Sequence, residues 1–180
     1  MCNPNANRLI ALLGSVCLAL LTPTIGLCGM TLSSSAFSNN TRIPVEFTCS
    51  GDNKSPALSA SGLPSSAMSM VLIVEDPDAP SGNFVHWVIF DIAASTTALP
   101  EGIPPTTKTS FGAIQGQNGR GETGYTGPCP PRGKDHHYHF RLYALDQKLD
   151  LTGDASAAEV EAAMRGHVLD QTDLVGVFSR

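Results

Sequence analysis

The chain has 180 residues, 42% of them hydrophobic and 15% charged, with a formal net charge of -5. That is one domain of ordinary size with enough apolar material for a core, and the acidic balance, with no run of Lys or Arg, argues against nucleic acid or an anionic membrane surface as a partner. The 17 glycines and 13 prolines fall in turns and not in a repeat, which predicts many loops between strands.

The N-terminal segment differs from the rest. Arg8 is the only charged residue among the first 30. Leu9 to Leu21 is an apolar run shorter than the roughly 20 residues a membrane-crossing helix needs, and Thr22, Pro23 and Gly26 break it. The pattern predicts a secretory signal over residues 1–29, cleaved near the small residues at Gly26 to Gly29, and a domain over 30–180. An uncleaved anchor reaching Leu27 is the alternative. Cys17 follows Val16 and Cys28 follows Leu27, so neither has the small preceding residue of a lipidated cysteine. With the signal removed, Cys49 and Cys129 remain. An oxidising compartment would allow them one disulfide, whereas the same two cysteines also suit a chain with no bridge, and spacing alone does not bring them within bonding distance.

From Met30 onward the chain reads as one β-rich domain. Ile43, Val45 and Phe47 alternate with polar neighbours, as on a half-buried strand. Cys49 to Pro56 is a loop of turn formers. Met70 to Val74 is an unbroken apolar run, expected as a central strand buried on both faces and ending in the carboxylates Glu75 and Asp76. Phe84 to Ile92 is a second such strand, and the spacer from Pro77 to Gly82 is a turn setting the two side by side. Residues 95–135 are rich in Gly, Pro and Thr, and a loop of that length in a compact domain is usually functional or poorly ordered. His137 to Leu145 is a third strand, with His136, Tyr138, Phe140 and Leu142 on one face and His137, His139, Arg141 and Tyr143 on the other. Ser156 and Glu159 form a capping box for a helix with Ala157, Val160 and Met164 as its stripe, ending at Gly166. Asp173 to Phe178 predicts a last short strand.

The chemistry lies in two segments. Asp76 and Asp78 flank Pro77, which suits turn capping. His86 sits across the same turn, so Asp76 could instead hold a histidine nitrogen and favour the imidazolium, which binds anions. His86, His136, His137 and His139 suggest zinc, but His137 and His139 face away from His136, whereas zinc needs three or four ligands converging at about 2 Å. Neither a metal nor a cofactor is expected. Cys129 as a nucleophile would need a lowered pKa and a positioned base, and the rigid Pro128-Cys129-Pro130-Pro131 offers no readable oxyanion hole. The chain has no nucleophile elbow, Walker motif or dinucleotide fingerprint. Between Gly127 and Gly133, glycine lets backbone amides approach an anion and the prolines lower the entropy of holding that shape.

These residues resemble the phosphatidylethanolamine-binding protein family, also called Raf kinase inhibitor protein-like, and its bacterial branch most closely. The resemblance runs from about Phe37 to Arg180. It is carried by Phe47 to Leu58, by Asp76-Pro77-Asp78-Ala79-Pro80 followed by His86-Trp87, by Gly127-Pro128-Cys129-Pro130-Pro131 followed by His136 and Tyr138, and by Gly166 to Leu169 with Leu174-Val175-Gly176. It implies a mainly β, single-domain fold of two antiparallel sheets with peripheral short helices. It implies a small pocket for phosphate or a phosphoryl head group formed by Asp76, His86, Gly127, Pro128, His136 and Tyr138. In that picture His86 and His136 face the anion, Asp76 orients, Tyr138 donates a phenolic hydrogen bond or lines the wall, and Trp87 packs in the core. Two departures, Ser59-Ala60-Ser61 where an aromatic is common and His137 where arginine is common, touch only the rim.

The expected function is an exported, non-enzymatic binding protein, periplasmic or secreted, whose partner is a small anionic or phosphorylated ligand. The alternative is an inhibitor or interaction module that docks a protease or other protein at the pocket rim. A phosphoester hydrolase is the weakest of the three readings. A homodimer is left open.

Overall fold

The computed structural model describes residues 29–180, so Cys17, Cys28 and all but the last residue of the expected signal segment lie outside the described residues. The described residues form nine strands and one α-helix: β1 (Thr31–Ser34), β2 (Thr41–Arg42), β3 (Leu58–Ser61), β4 (Ser69–Asp76), β5 (Phe84–Ala93), β6 (Ala98–Leu99), β7 (Ile114–Gln115), β8 (His136–Leu145), α1 (Ala157–Met164) and β9 (Val168–Phe178). A three-stranded sheet has the order β1-β3-β6, and a six-stranded sheet the order β2-β9-β8-β4-β5-β7. Neighbours are antiparallel except β2, which runs parallel to β9.

β4 is the middle of the structure, and its sequence explains why. Every residue from Ser69 to Asp76 is buried. Met70, Leu72 and Val74 join Trp87, Tyr138 and Phe140 in a core between the two sheets. Val71 and Ile73 join Val88, Phe90 and α1 residues Val160 and Met164 on the opposite face. The unbroken apolar run from Met70 to Val74 is what a strand covered on both faces requires. β8 has core on one face only, so it alternates: His136, Tyr138, Phe140 and Leu142 are buried while His137 is exposed. Ser156 caps α1 with the reciprocal Glu159 contact, as the capping box predicts.

Two local expectations are corrected. Val45 to Phe47 is a 3₁₀ turn and not a strand. Ile43 and Phe47 are buried, but Val45 is 55% exposed. The last strand is 11 residues long and starts at Val168, because β8 offers an open edge that pairs it from Val168 to Phe178.

Candidate functional site

Three strand ends meet at one edge of the larger sheet. β4 ends there at Asp76, β5 begins at Phe84, and β8 begins at His136. The turn between β4 and β5 is fixed locally. Asp76 Oδ1 accepts the Asp78 N–H at 2.9 Å, the Asp-turn chemistry that favours this residue before proline. Gly82 closes the turn by donating to the Ala79 carbonyl at 2.9 Å with φ +96°, a conformation that side chains beyond glycine resist.

His86 owes its position to a β-bulge. Val74 pairs with Trp87 and Glu75 with Val85, so His86 is the extra residue with no partner on β4. A bulge re-aims a side chain. Strict alternation would send His86 and Trp87 to opposite faces; instead Trp87 shares the inter-sheet core with Tyr138, and the His86 ring meets the Tyr138 ring edge-on at 5.1 Å. Trp87 is core, as expected, with Nε1 donating to Gln115 Oε1 at 2.8 Å.

The histidine partners differ from the expected ones. Asp76 holds His136, not His86: His136 Nδ1 donates to Asp76 Oδ2 at 2.7 Å, with both side chains buried. The strand registers bring these groups together across 60 residues of sequence. His86 Nδ1 lies 2.6 Å from the Thr126 carbonyl. A carbonyl only accepts, so Nδ1 carries the proton and Nε2 is left for a ligand. The Thr126 N–H returns a bond to the His86 carbonyl at 2.9 Å. Burial pushes the His86 imidazole below its ordinary value. The Thr126 carbonyl and the Asp76 carboxylate pull it back, and Arg120 pushes it further down.

A pocket of about 190 Å³ opens onto Asp76, His86 and His136, with Phe84, Arg120, Cys129, Pro130 and Pro131 as further walls. Neither histidine Nε2 has a protein hydrogen-bond partner, and neither is sealed from solvent, because the Tyr138 hydroxyl is the one fully buried, unpartnered side-chain oxygen or nitrogen among the described residues. Both Nε2 atoms are therefore free to meet a ligand.

Other expected site residues lie behind the wall. Tyr138 does not line the pocket. Its ring backs both imidazoles, and burial together with the Asp76 carboxylate pushes its phenol up. The Gly127 N–H already donates to Asn53 Oδ1 at 2.7 Å. A Cβ on Gly127 would lie 2.5 Å from the Phe47 carbonyl oxygen, so this glycine serves close packing. The Pro128 carbonyl accepts the Cys49 N–H at 3.1 Å. The wall itself begins one residue later. Cys129 is joined to Cys49 by a disulfide, which answers the question left open by spacing and leaves no thiol for nucleophilic chemistry. Arg120, absent from the sequence-based set, sits in the Asn118–Gly121 turn, where the sequence carries no clue to its destination.

The outward histidines are paired away from the pocket. His137 donates from N and Nδ1 to Asp78 Oδ2 at 2.9 and 2.8 Å, which holds the Asp78 carboxyl below the usual range. His139 pairs with Asp173 at 2.6 Å. A wider depression of about 540 Å³ lies over Arg141, Tyr143, Gln171, Thr172 and Asp173, but Arg141 is paired with Glu75 and Asp173 with His139. It offers no free charge.

The family model for phosphatidylethanolamine-binding protein matches residues 33–179. The chain belongs to this family. A UPF0098 protein of Methanothermobacter thermautotrophicus is 49% identical over 151 residues, covering 84% of this chain and 99% of the relative. One of Aquifex aeolicus is 40% identical, covering 94% and 99%. The crystal structure of the Chlamydia trachomatis homolog CT736 superposes with a TM-score of 0.78 at 38% identity, covering 84% of this chain and 98% of that one. E. coli YbcL gives 0.79 at 30% identity with the same coverage. Relatives are archaeal as well as bacterial, so membership stands at the level of the family and not of a bacterial branch.

Proposed function

We propose that the chain is an exported, non-enzymatic binding protein that takes phosphate or a phosphorylated group into the 190 Å³ pocket. One observation carries the reading. Two buried imidazoles have their Nδ1 atoms committed, one to the Thr126 carbonyl and one to Asp76, and turn both Nε2 atoms to the same small pocket. Protonated, they donate charge-assisted hydrogen bonds, the strong kind. The volume is that of about six waters, below the roughly 300 Å³ lower bound for drug-sized ligands, so the occupant is a small group. A binding rather than hydrolytic role is favoured because the one cysteine in the wall is oxidised.

Export is supported by the boundary of the fold. Among the described residues Met30 is the first side chain packed into the core, and its N–H donates to Asp170 Oδ2 at 3.1 Å, so a domain beginning near Gly29 keeps both ties. N-terminal sequencing of exported protein is expected to start between Leu27 and Ser33, and an intact Met1 on soluble cytoplasmic protein refutes export. Calorimetric titration with inorganic phosphate, repeated on His86→Ala, tests the pocket. Equal affinities refute it. Turnover of a phosphoester panel by wild type but not His86→Ala would refute the non-enzymatic reading.

A further inference from the structure

We propose that Arg120 is a third anion contact and that the pocket selects a terminal, doubly charged group, such as a phosphate monoester, over a phosphodiester or a zwitterionic head group. This rests on the anion-binding reading above and goes beyond it by naming the class of ligand.

Arg120 is placed by a tightly tied turn. Asn118 is buried. Its Oδ1 accepts the Arg120 N–H at 2.9 Å and the Glu122 N–H at 3.3 Å, and its Nδ2 donates to the Gly124 carbonyl at 3.0 Å. Gly119 donates to the Val85 carbonyl at 2.7 Å, which anchors the turn to β5 beside His86. A Cβ on Gly119 would lie 2.8 Å from the Phe84 ring, so only glycine lets the turn press onto that wall. Arg120 is consequently held at the pocket with His86 and His136, close enough for its charge to act on His86. Among the described residues the guanidinium has no ion-pair partner.

The negative side of the pocket is already spent. Among the described residues Asp76 is the only carboxylate lining the wall. Its Oδ1 accepts from Asp78 and its Oδ2 from His136. A ligand therefore meets two imidazole Nε2 atoms and one guanidinium, with no free carboxylate for an ammonium. A phosphate monoester carries a charge of about -1.5 to -2 near neutral pH and three acceptor oxygens. That matches three donor groups. Each further ester removes a charge and an acceptor, and an added ammonium brings a cation towards Arg120. Arginine fits the role better than lysine because its planar fork pairs two oxygens at once.

The test is calorimetric titration of the mature domain at about pH 7, near the histidine range, with methyl phosphate, dimethyl phosphate and glycerophosphoethanolamine, a zwitterionic phosphodiester. Wild type, Arg120→Gln and Arg120→Lys are compared. Methyl phosphate should bind wild type at least roughly ten-fold more tightly than either other probe, the tenfold step that one charge-assisted contact supplies. Arg120→Gln should bring the three within about three-fold of one another, largely by weakening methyl phosphate, with Arg120→Lys intermediate. The exposed Arg120 side chain makes no hydrogen bond to any described residue, so the unfolding temperature should stay at the wild-type value. The His86 titration followed by NMR should move up in Arg120→Gln as the neighbouring positive charge is lost. Equal wild-type affinity for methyl and dimethyl phosphate, or unchanged methyl phosphate binding by Arg120→Gln, overturns the proposal while leaving an anion pocket standing. Failure of all three probes and inorganic phosphate to bind wild type overturns both.

Discussion

Replacing both Cys49 and Cys129 by serine should destabilise the domain by about as much as one disulfide can. The two residues are 80 apart in sequence. Closing a loop of that size removes roughly 15 cal/mol/K of unfolded-chain entropy, or about 4.5 kcal/mol at 25 °C. The native loops have other ties: the Cys49 N–H to the Pro128 carbonyl, Gly127 to Asn53, and the Tyr125 hydroxyl to the Phe47 carbonyl at 2.8 Å. The folded state should therefore keep its shape, and the effect should fall on the unfolded chain. At roughly 2–4 °C per kcal/mol for a domain of this size, the melting temperature should drop by about 9–18 °C. Thermal unfolding followed by circular dichroism measures the drop, and thiol titration of denatured wild type should find neither cysteine free. A double variant melting within about 2 °C of wild type, no more than about 1 kcal/mol, would refute the entropic reasoning. Full reactivity of both thiols would refute the bridge.

The remaining expectations concern the pocket. His136→Ala should weaken phosphate binding roughly ten-fold or more, since a charge-assisted hydrogen bond contributes about 1.5–3 kcal/mol. His137→Ala, whose ring is paired with Asp78 on the outer face, should stay within about two-fold; equal effects in calorimetry would refute the facial assignment. Sulfate binding should weaken as pH rises from about 5.5 to 8, because the anion is met by protonated imidazole and the free His86 favours the neutral form. A flat profile would count against histidine contacts. Stability carries the opposite sign. The folded His86 lies below its ordinary 6.5, so in the lower part of that interval, up to about pH 6.5, the unfolded chain holds a proton that the native state releases. Without an anion, stability should rise with pH across that lower part and be lost as pH falls through it. Urea denaturation of wild type and His86→Gln at both ends of the interval checks this, the variant losing that slope. Gly127→Ala should cost about 1–3 kcal/mol, because its Cβ would meet the Phe47 oxygen at 2.5 Å and Thr48 Cα at 2.9 Å; an unchanged melting temperature would contradict that packing.

What could be read from the sequence was what a local rule decides. β4 and β5 announce themselves by unbroken apolar runs because both faces are covered, and β8 by its alternation because one face is not. α1 is legible from Ser156 and Glu159 alone. β9 was underestimated because Val168 to Thr172 carry no buried alternation, and their strand is specified by the edge of β8 instead. Val45 to Phe47 misled because period two over three apolar residues also fits one turn of helix, here following Pro44. The site shows the same division. His86, His136 and Asp76 are recognisable as chemistry, but their pairing depends on strand register between residues 60 apart and on a bulge that no alternation pattern contains. Arg120 is set by backbone ties from Asn118 and Gly119, neither of which resembles a binding motif. The bulge is the deciding device. Without the extra residue, His86 would be turned from the inter-sheet side, away from Tyr138 and from the anion-facing edge shared with His136. The rule that makes β5 easy to find is therefore the rule the site must break to exist.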